Sequence, residues 1–540
     1  IFLIQPLSQI NTFTGVRGII ISLYTKPTLT NQSTISLSLI FHSLSLSRSQ
    51  YCFYRKTVLS VLHVFMMVVE EERSIEEGLL QLKNQNDDSD CRITACVILS
   101  TFVAVCGSFS FGVSIGYTSG AEIGIMKDMG LSIAQFSAFG SLSTVGAAVG
   151  ALFSGKMAII LGRKGTMWVS DILCITGWLS IAFSKDVMWL NFGRISSGIG
   201  IGLISYVVPV YIAEITPKHV RGTFTFSNQL LQNAGIAMVF SFGNFINWRT
   251  MALLGALPCF IQGIGLFFVP ESPRWLAKVG TDKELENSLL HLRGRDADIS
   301  REASEIQVMT KMVEGDSKSS FYDLFQRKYR YTLVVGIGLM FVQQFSGSSA
   351  VIFYASTIFI KAGFPVAIGS TMLGLFMIPK AMVGLILVDK WGRRPLLLTS
   401  AFGMSITCML LGLAFALQKM QLLPELTPVL TFLCVMLYIA TYAIGLGALP
   451  WIMMSEIFPM NIKVTAGSIV TLASWSSSSI VTYAFNFLFE WSTQGTFYIF
   501  GAIGGAALLF IWLLVPETKG LSLEEIQVWL TRQPDEINHI

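Results

Sequence analysis

The chain is short of charge. Only 13% of its 540 residues are Asp, Glu, Lys or Arg, against about 25% in an ordinary soluble domain. The formal net charge is +4 with no basic stripe, which excludes an electrostatic nucleic-acid surface. The eight cysteines are Cys52, Cys91, Cys96, Cys106, Cys174, Cys259, Cys408 and Cys434. They lack metal-ligand spacing, and most fall in apolar runs, so they read as packing residues. The five His are scattered and no nucleophile, base and orienter come together. No enzyme, cofactor or metal site is expected. Residues 1–65 lack Met, Asp and Glu altogether, and the first acid is Glu70. A Ser-rich, acid-poor transit leader is one reading. A start at Met66 or Met67 behind a non-native stretch is the other, and the missing Met favours it. The segment 1–65 therefore stays out of the fold argument.

What is abundant is apolar sequence: 52% of residues, with a mean hydropathy of +0.62. A membrane span takes roughly 20 mostly apolar residues. Twelve such runs can be read, near 93–115, 135–160, 167–184, 189–213, 225–245, 250–269, 332–358, 366–388, 396–417, 427–454, 465–488 and 496–515. A large soluble core would need polar faces at helical period, which most of these runs lack. Gly inside them suits close packing of membrane helices. The expectation is an all-α membrane protein with twelve transmembrane helices in the lipid bilayer.

Charge sits between the runs. Arg163, Lys164, Lys218, Arg221, Lys390, Arg393, Arg394 and Lys463 fall on one side, and Lys127, Lys185, Arg249, Lys361 and Lys419 on the other. The richer side is expected to be cytosolic. The charged stretch 277–330 belongs there too, with Thr281 or Asp282 capping one helix and Asp298 another. Both termini follow. The segments are a cytosolic 66–92, a six-helix bundle 93–276, a helical linker 277–330, a second bundle 331–515 and a tail 516–540.

Three motifs occur twice. GKMAIILGRKGTM (155–167) is matched by LVDKWGRRPLLL (387–398). PVYIAEITPKHVRG (209–222) is matched by SEIFPMNIKVTAG (455–467), and PESPRW (270–275) by PETKG (516–520). Their nearly constant offsets make a six-plus-six repeat. Two like halves with a midplane cavity between them describe a rocker-type transporter. A charge in hydrocarbon costs about 2.5–3.5 kcal/mol on insertion scales, so charges gather at helix ends, where cations also suit C-terminal dipoles. Asp389, Arg393, Arg394, Arg163, Glu214, Arg221 and Glu456 are expected to form a gate network where helix ends of the two halves meet. It would break when the inside opens. The first copy carries Ile159 and Ile160 where the second has its acid. The gate is therefore expected to lean on the second copy, with Asp389→Asn impairing transport more than any change at Ile159.

The motif set GRK/GRR, PVYIAEITPKHVRG, PESPRWL, QQFSGSSAVIFY, PWIMMSEIFP and PETKG resembles the sugar porter family of the major facilitator superfamily, from about residue 93 to 525. GYTSGAEIGIMKD, IPKAMVGLILVDKWGRRPLL and GLGALPWIMMSEIFP look closest to the plant early-responsive-to-dehydration-like monosaccharide transporters. The resemblance implies a twelve-helix fold carrying hexoses.

A sugar site offers amides, which donate and accept, and an aromatic plate. Gln343 and Gln344 are adjacent in the seventh run. Gln229, Gln232 and Asn233 cluster in the fifth. Trp451 follows Pro450, and Trp475 lies in the eleventh. The resemblance implies sugar contacts at Gln229, Gln343, Gln344 and Trp451. It also places Ser349 and Ser474 where the family often has amides. Proton-coupled relatives carry an Asp in the first span, within a pattern like FGYDIGV. This chain reads FGVSIGYTS, with Ser114 at that position, while the partner Arg194 is kept. Ser cannot take up a proton at physiological pH. Facilitative transport is therefore favoured, with coupling through another acid such as Asp171, near its helix end, as the alternative. Protons stay a potential second partner.

Lys380 lies nine residues before Asp389, about 13 Å deep at 1.5 Å per residue. It either faces the cavity or satisfies backbone freed by a break at Pro379. Glu76, Glu77 and Leu79-Leu80 read as an acidic dileucine sorting signal or an amphipathic helix, which leaves tonoplast and plasma membrane open. Three functions compete: a hexose uniporter or symporter, a carrier for another polyol or organic solute, and a non-transporting sugar sensor. The protein is expected to work as a monomer.

Overall fold

The computed structural model describes residues 93–217, 219–294, 297–316, 326–422, 425–458 and 462–519. The leader, the dileucine and most of the tail lie outside them, as do the side chains of Asp389 and Lys463. The described residues form helices and connecting turns. In chain order the first half holds α1 (Ala95–Met129), α2 (Ile133–Ile160), α3 (Gly162–Ala182), α4 (Val187–Ile215), α5 (Arg221–Phe242) and α6 (Trp248–Gly265). The linker holds α7 (Pro273–Val279), α8 (Asp282–Arg293) and α9 (Ser300–Asp316). In the second half come α10 (Arg327–Phe345), α11 (Ser348–Phe353), α12 (Ala355–Ala362), α13 (Val366–Trp391), α14 (Arg393–Lys419), α15 (Leu426–Ile444), α16 (Leu449–Ile457), α17 (Lys463–Trp491) and α18 (Thr493–Leu514).

Among the described residues, nine helical stretches are long and apolar enough to cross a membrane. The other three expected spans are the helices α5, α6 and α17. In α5, Asn228, Gln229, Gln232 and Asn233 lower the hydropathy, and in α17 a run of Ser does so. Small residues set how closely helices approach. A Cβ at Gly150 would lie 2.1 Å from the Ile199 carbonyl, and one at Gly202 2.3 Å from that of Ala147. No side chain fits there, so α2 and α4 cross backbone to backbone. The linker follows its sequence signals: Thr281 and Glu284 form a capping box on α8, which stops at Gly294, and Asp298 accepts from the Ser300 N–H at the start of α9.

Two helices are broken in mid-bundle. Gly347 takes a left-handed φ of 93° between α10 and α11, and Gly445–Ala448 interrupt α15 and α16. Broken helices leave backbone carbonyls unbonded, which is tolerated at membrane depth only inside protein or along a cavity.

The described hydrogen bonds between the halves gather at the end away from the repeated charged motifs. Ser119 meets Ser356 at 2.9 Å, Thr357 donates to Glu122 at 2.5 Å, Asn244 to Ser370 at 2.5 Å and Asn486 to Ser137 at 3.0 Å. At the motif end the contrast is plain on α5. Its buried residues, Asn233, Gly235, Ile236, Val239, Phe240 and Ser241, all lie in the half of the helix away from the motifs. Among the described residues, hydrogen bonds join the halves at the far end, and the motif-end stretch of α5 is the less buried one.

Candidate sugar site and gate motifs

The broken helices build the amide cluster. Gln343 is 1% exposed, and its Nε2 donates to the carbonyls of Leu446 at 2.6 Å and Gly447 at 3.4 Å. It thus satisfies backbone freed by the α15–α16 break. Gln344 Nε2 donates to Ser474 Oγ at 3.2 Å and to Gln343 Oε1 at 3.4 Å. Ser349 donates to Gln344 Oε1 at 2.6 Å and shares a 2.8 Å contact with Ser478. Ser349 and Ser474 therefore do more than lack amides: they bond Gln344 Oε1 and Nε2, leaving the second lone pair of Oε1 for a ligand donor. Trp475 Nε1 is buried with no partner, and its ring lies 5.9 Å from that of Phe111 in the other half. An unpartnered indole N–H beside the Phe111 ring is free to donate.

The structure joins Gln343, Gln344, Ser349, Ser474 and Ser478 into one network, and the next residue in α17 is Trp475. Trp451 is half-buried on α16. Gln229 stays separate: it is exposed on the open stretch of α5, one turn below buried Asn233. Ser108, Asn228 and Phe111 escaped the sequence reading as site residues. Ser108 donates to Asn228 at 2.5 Å between α1 and α5. Only helix pairing shows this, since the residues are 120 apart.

Arg194 is fully buried and donates to the Ser114 hydroxyl at 3.1 Å and carbonyl at 3.3 Å, and to Thr118. Its guanidinium lies 4.8 Å from the Phe139 ring centre. Neutral groups thus fill the place of the missing acid. Asp171 corrects an expectation: it is not near a helix end but mid-way along α3, 1% exposed, with both carboxyl oxygens unpartnered. A second correction concerns Pro379. α13 runs unbroken through it, with Pro379 inside the helix. Lys380 is 9% exposed and shows no described bond to that backbone.

The gate motifs pair locally. Arg163 grips Glu214 with two bonds of 2.7 Å, and Ser272 donates to the same carboxylate at 2.6 Å. Glu271 accepts from the Arg163, Lys164 and Ser272 N–H groups at 3.1, 3.1 and 2.8 Å, capping the N-terminus of α3. In the second half, Arg393 meets Glu456 at 3.0 Å and Thr518 donates to Glu456 at 2.6 Å. Glu517 accepts from the N–H groups of Arg393, Arg394, Thr518 and Lys519 at 2.9–3.0 Å. Both of these described ion pairs lie within one half, not across the two. Arg221 is half-buried with its Nε unpartnered. Arg394 donates to the Trp512 carbonyl at 2.5 Å.

Known proteins resemble both the sequence and this arrangement. The family described as sugar (and other) transporter matches residues 65–530. The Arabidopsis thaliana protein "Sugar transporter ERD6-like 18" is 85% identical over 473 residues, covering 88% of this chain and 99% of the relative. An inward open conformation of the xylose transporter XylE from E. coli superposes with a TM-score of 0.69 at 26% identity, covering 80% of this chain and 99% of that one. The proton:xylose symporter XylE bound to 6-bromo-6-deoxy-D-glucose gives 0.66 at 25% identity, covering 81% and 100%. The chain belongs to the sugar porters of the major facilitator superfamily, among the ERD6-like sugar transporters, and is a multi-pass membrane carrier of monosaccharides rather than an enzyme.

Proposed function

We propose that the protein moves a hexose such as glucose or fructose by facilitative alternating access, with the motif end and both termini in the cytosol of a vacuolar or plasma-membrane transporter that works as a monomer. The observation that carries the facilitative part is Arg194. Its donors go to Ser114 and Thr118, so the α1 position offers no carboxylate to gain or lose a proton. The XylE relative described as a proton:xylose symporter marks the alternative.

The sugar would sit on the amide network. Its hydroxyls replace Ser349 and Ser474 on Gln344, accept from Trp475 Nε1 and reach Gln229 and Trp451 as the halves close. Each exchanged hydrogen bond contributes about 0.5–1.5 kcal/mol net, so binding needs several at once. Arg163–Glu214 and Arg393–Glu456 hold each half's helix ends rigid, and Asp389, Arg394 and Arg221 stand at the rim that closes when the outside opens.

Uptake of radiolabelled glucose, fructose and xylose into proteoliposomes tests this. Exchanging Gln343 and Gln344 together for Ala is expected to lower uptake at least 100-fold, and unchanged uptake overturns the site. A protonophore is expected to leave initial rates unchanged. Collapse of accumulated sugar would establish symport and remove the facilitative reading.

A further inference from the structure

One acid was passed over in the sequence and stands at the seam between the halves. Glu122 is 6% exposed on α1, and its described bond is to the hydroxyl of Thr357 on α12, in the other half, at 2.5 Å. Beside it, Ser119 bonds both the Oγ and the N–H of Ser356. This is a carboxyl built into the far-end closure itself. Asp171 is different, because it is buried with Cys259 and Gly263 of its own half beside it.

Among the described residues, no cation forms an ion pair with Glu122. Arg194 on α4 binds Ser114 and Thr118, which share the α1 stripe at i, i+4 and i+8 with Glu122, so its guanidinium is held about a turn away. Tyr354, between α11 and α12, lies within electrostatic reach of both Arg194 and Glu122. On α6, Arg249 stacks on Trp248, and Trp248 is bonded to Asp128 of α1. Lys361 on α12 and Lys127 on α1 are exposed. The far-end stretches of α2 and α5 carry no titratable side chain. A carboxylate removed from water with one neutral partner is strongly disfavoured, whereas a neutral acid is accommodated.

We propose that Glu122 is the proton-binding group of the far-end gate. It takes a proton from the outer solution as the halves close there and returns it to the same side when water re-enters. Acid outside then holds this gate shut and alkali loosens it, without a proton crossing the membrane. The inference rests on the alternating-access reading, in which the far end faces outward, but its test needs no sugar.

In proteoliposomes of the full chain, a reporter thiol is placed by Ser137→Cys, at the buried Asn486 contact. A reference thiol is placed by Ser132→Cys, at the exposed start of α2. Both are labelled by a membrane-impermeant maleimide added outside between pH 5 and 7. The reference corrects for thiol ionisation. The rate ratio of reporter to reference is expected to rise with pH, by up to about tenfold per unit, and to become flat with Glu122→Gln. Thr357→Val, which keeps the acid, should retain the slope. A flat ratio in the parent overturns the proposal even if the Gln variant fails to insert. Acidification of a trapped pH dye in step with glucose entry would also overturn it, by showing that the proton is delivered inward. A steep ratio with no glucose uptake would leave the gate standing and remove the sugar reading instead.

Discussion

The two halves solve one problem with unequal strength. Each ties an Arg at the start of α3 or α14 to a Glu at the end of α4 or α16, and each caps α3 or α14 with the Glu of a Pro-Glu-Ser or Pro-Glu-Thr turn. In the first half the Arg163 fork meets both oxygens of Glu214, with side chains only 15% and 12% exposed. In the second, Arg393 reaches one oxygen of Glu456 at 3.0 Å, with 20% and 19% exposure. The caps differ too. Burial pushes Glu271 above the usual carboxylate range, against three N–H donors and Arg163 that pull it down. Burial also raises Glu517, but four N–H donors outweigh it and hold that carboxyl below the usual range. The lesson is that the half with Ile159 at the family's acid position still holds the bidentate and more buried of the two described Arg–Glu pairs.

The comparison can be broken at several points. The largest effect is expected from Arg163→Ala, which strands a partly buried carboxylate and should lower stability by about 3 kcal/mol. Arg393→Ala should lower it by about 1–2 kcal/mol. Thermal unfolding in detergent checks the order, and equal losses would erase the asymmetry. Next come the caps. Glu517 contributes stability that is present above the unfolded carboxyl value, ~4.3, and is lost as pH falls through its lower folded value. Glu271, raised on folding, works the other way, because acid favours the native form. Infrared difference titrations of Glu271→Gln and Glu517→Gln should show Glu271 protonating first as pH falls, and the reverse order sinks this assignment. The smallest effect belongs to Ile159→Asp. The side chain is 47% exposed while its carbonyl keeps the 2.8 Å bond from Trp275, so stability should change by no more than about 0.5 kcal/mol.

Much of this was legible beforehand, for local reasons. Apolar runs, paired motifs and helix caps depend on residues near one another in the chain, so the repeat, the linker helices and the capping box on α8 could be read directly. Gln343 and Gln344 were visible because amides are out of place in hydrocarbon. Other features were not legible. Nothing local says that Gln343 binds the Leu446 carbonyl, since that bond exists only because two helices break at the same depth. Glu122 was invisible for the same reason, because its place at the seam comes from α12, 235 residues away.

The sequence by itself determined that the chain is helical and built for a membrane, because burial in lipid constrains composition residue by residue, and its paired motifs carry the resemblance to the sugar porters. Tertiary structure alone decided that the gate arginines pair within their own halves, that Ser349 and Ser474 occupy Gln344, and that the closed end is the one holding Glu122. Hydrogen bonds reach only about 3 Å, so which groups meet is fixed by helix packing and by where the halves touch.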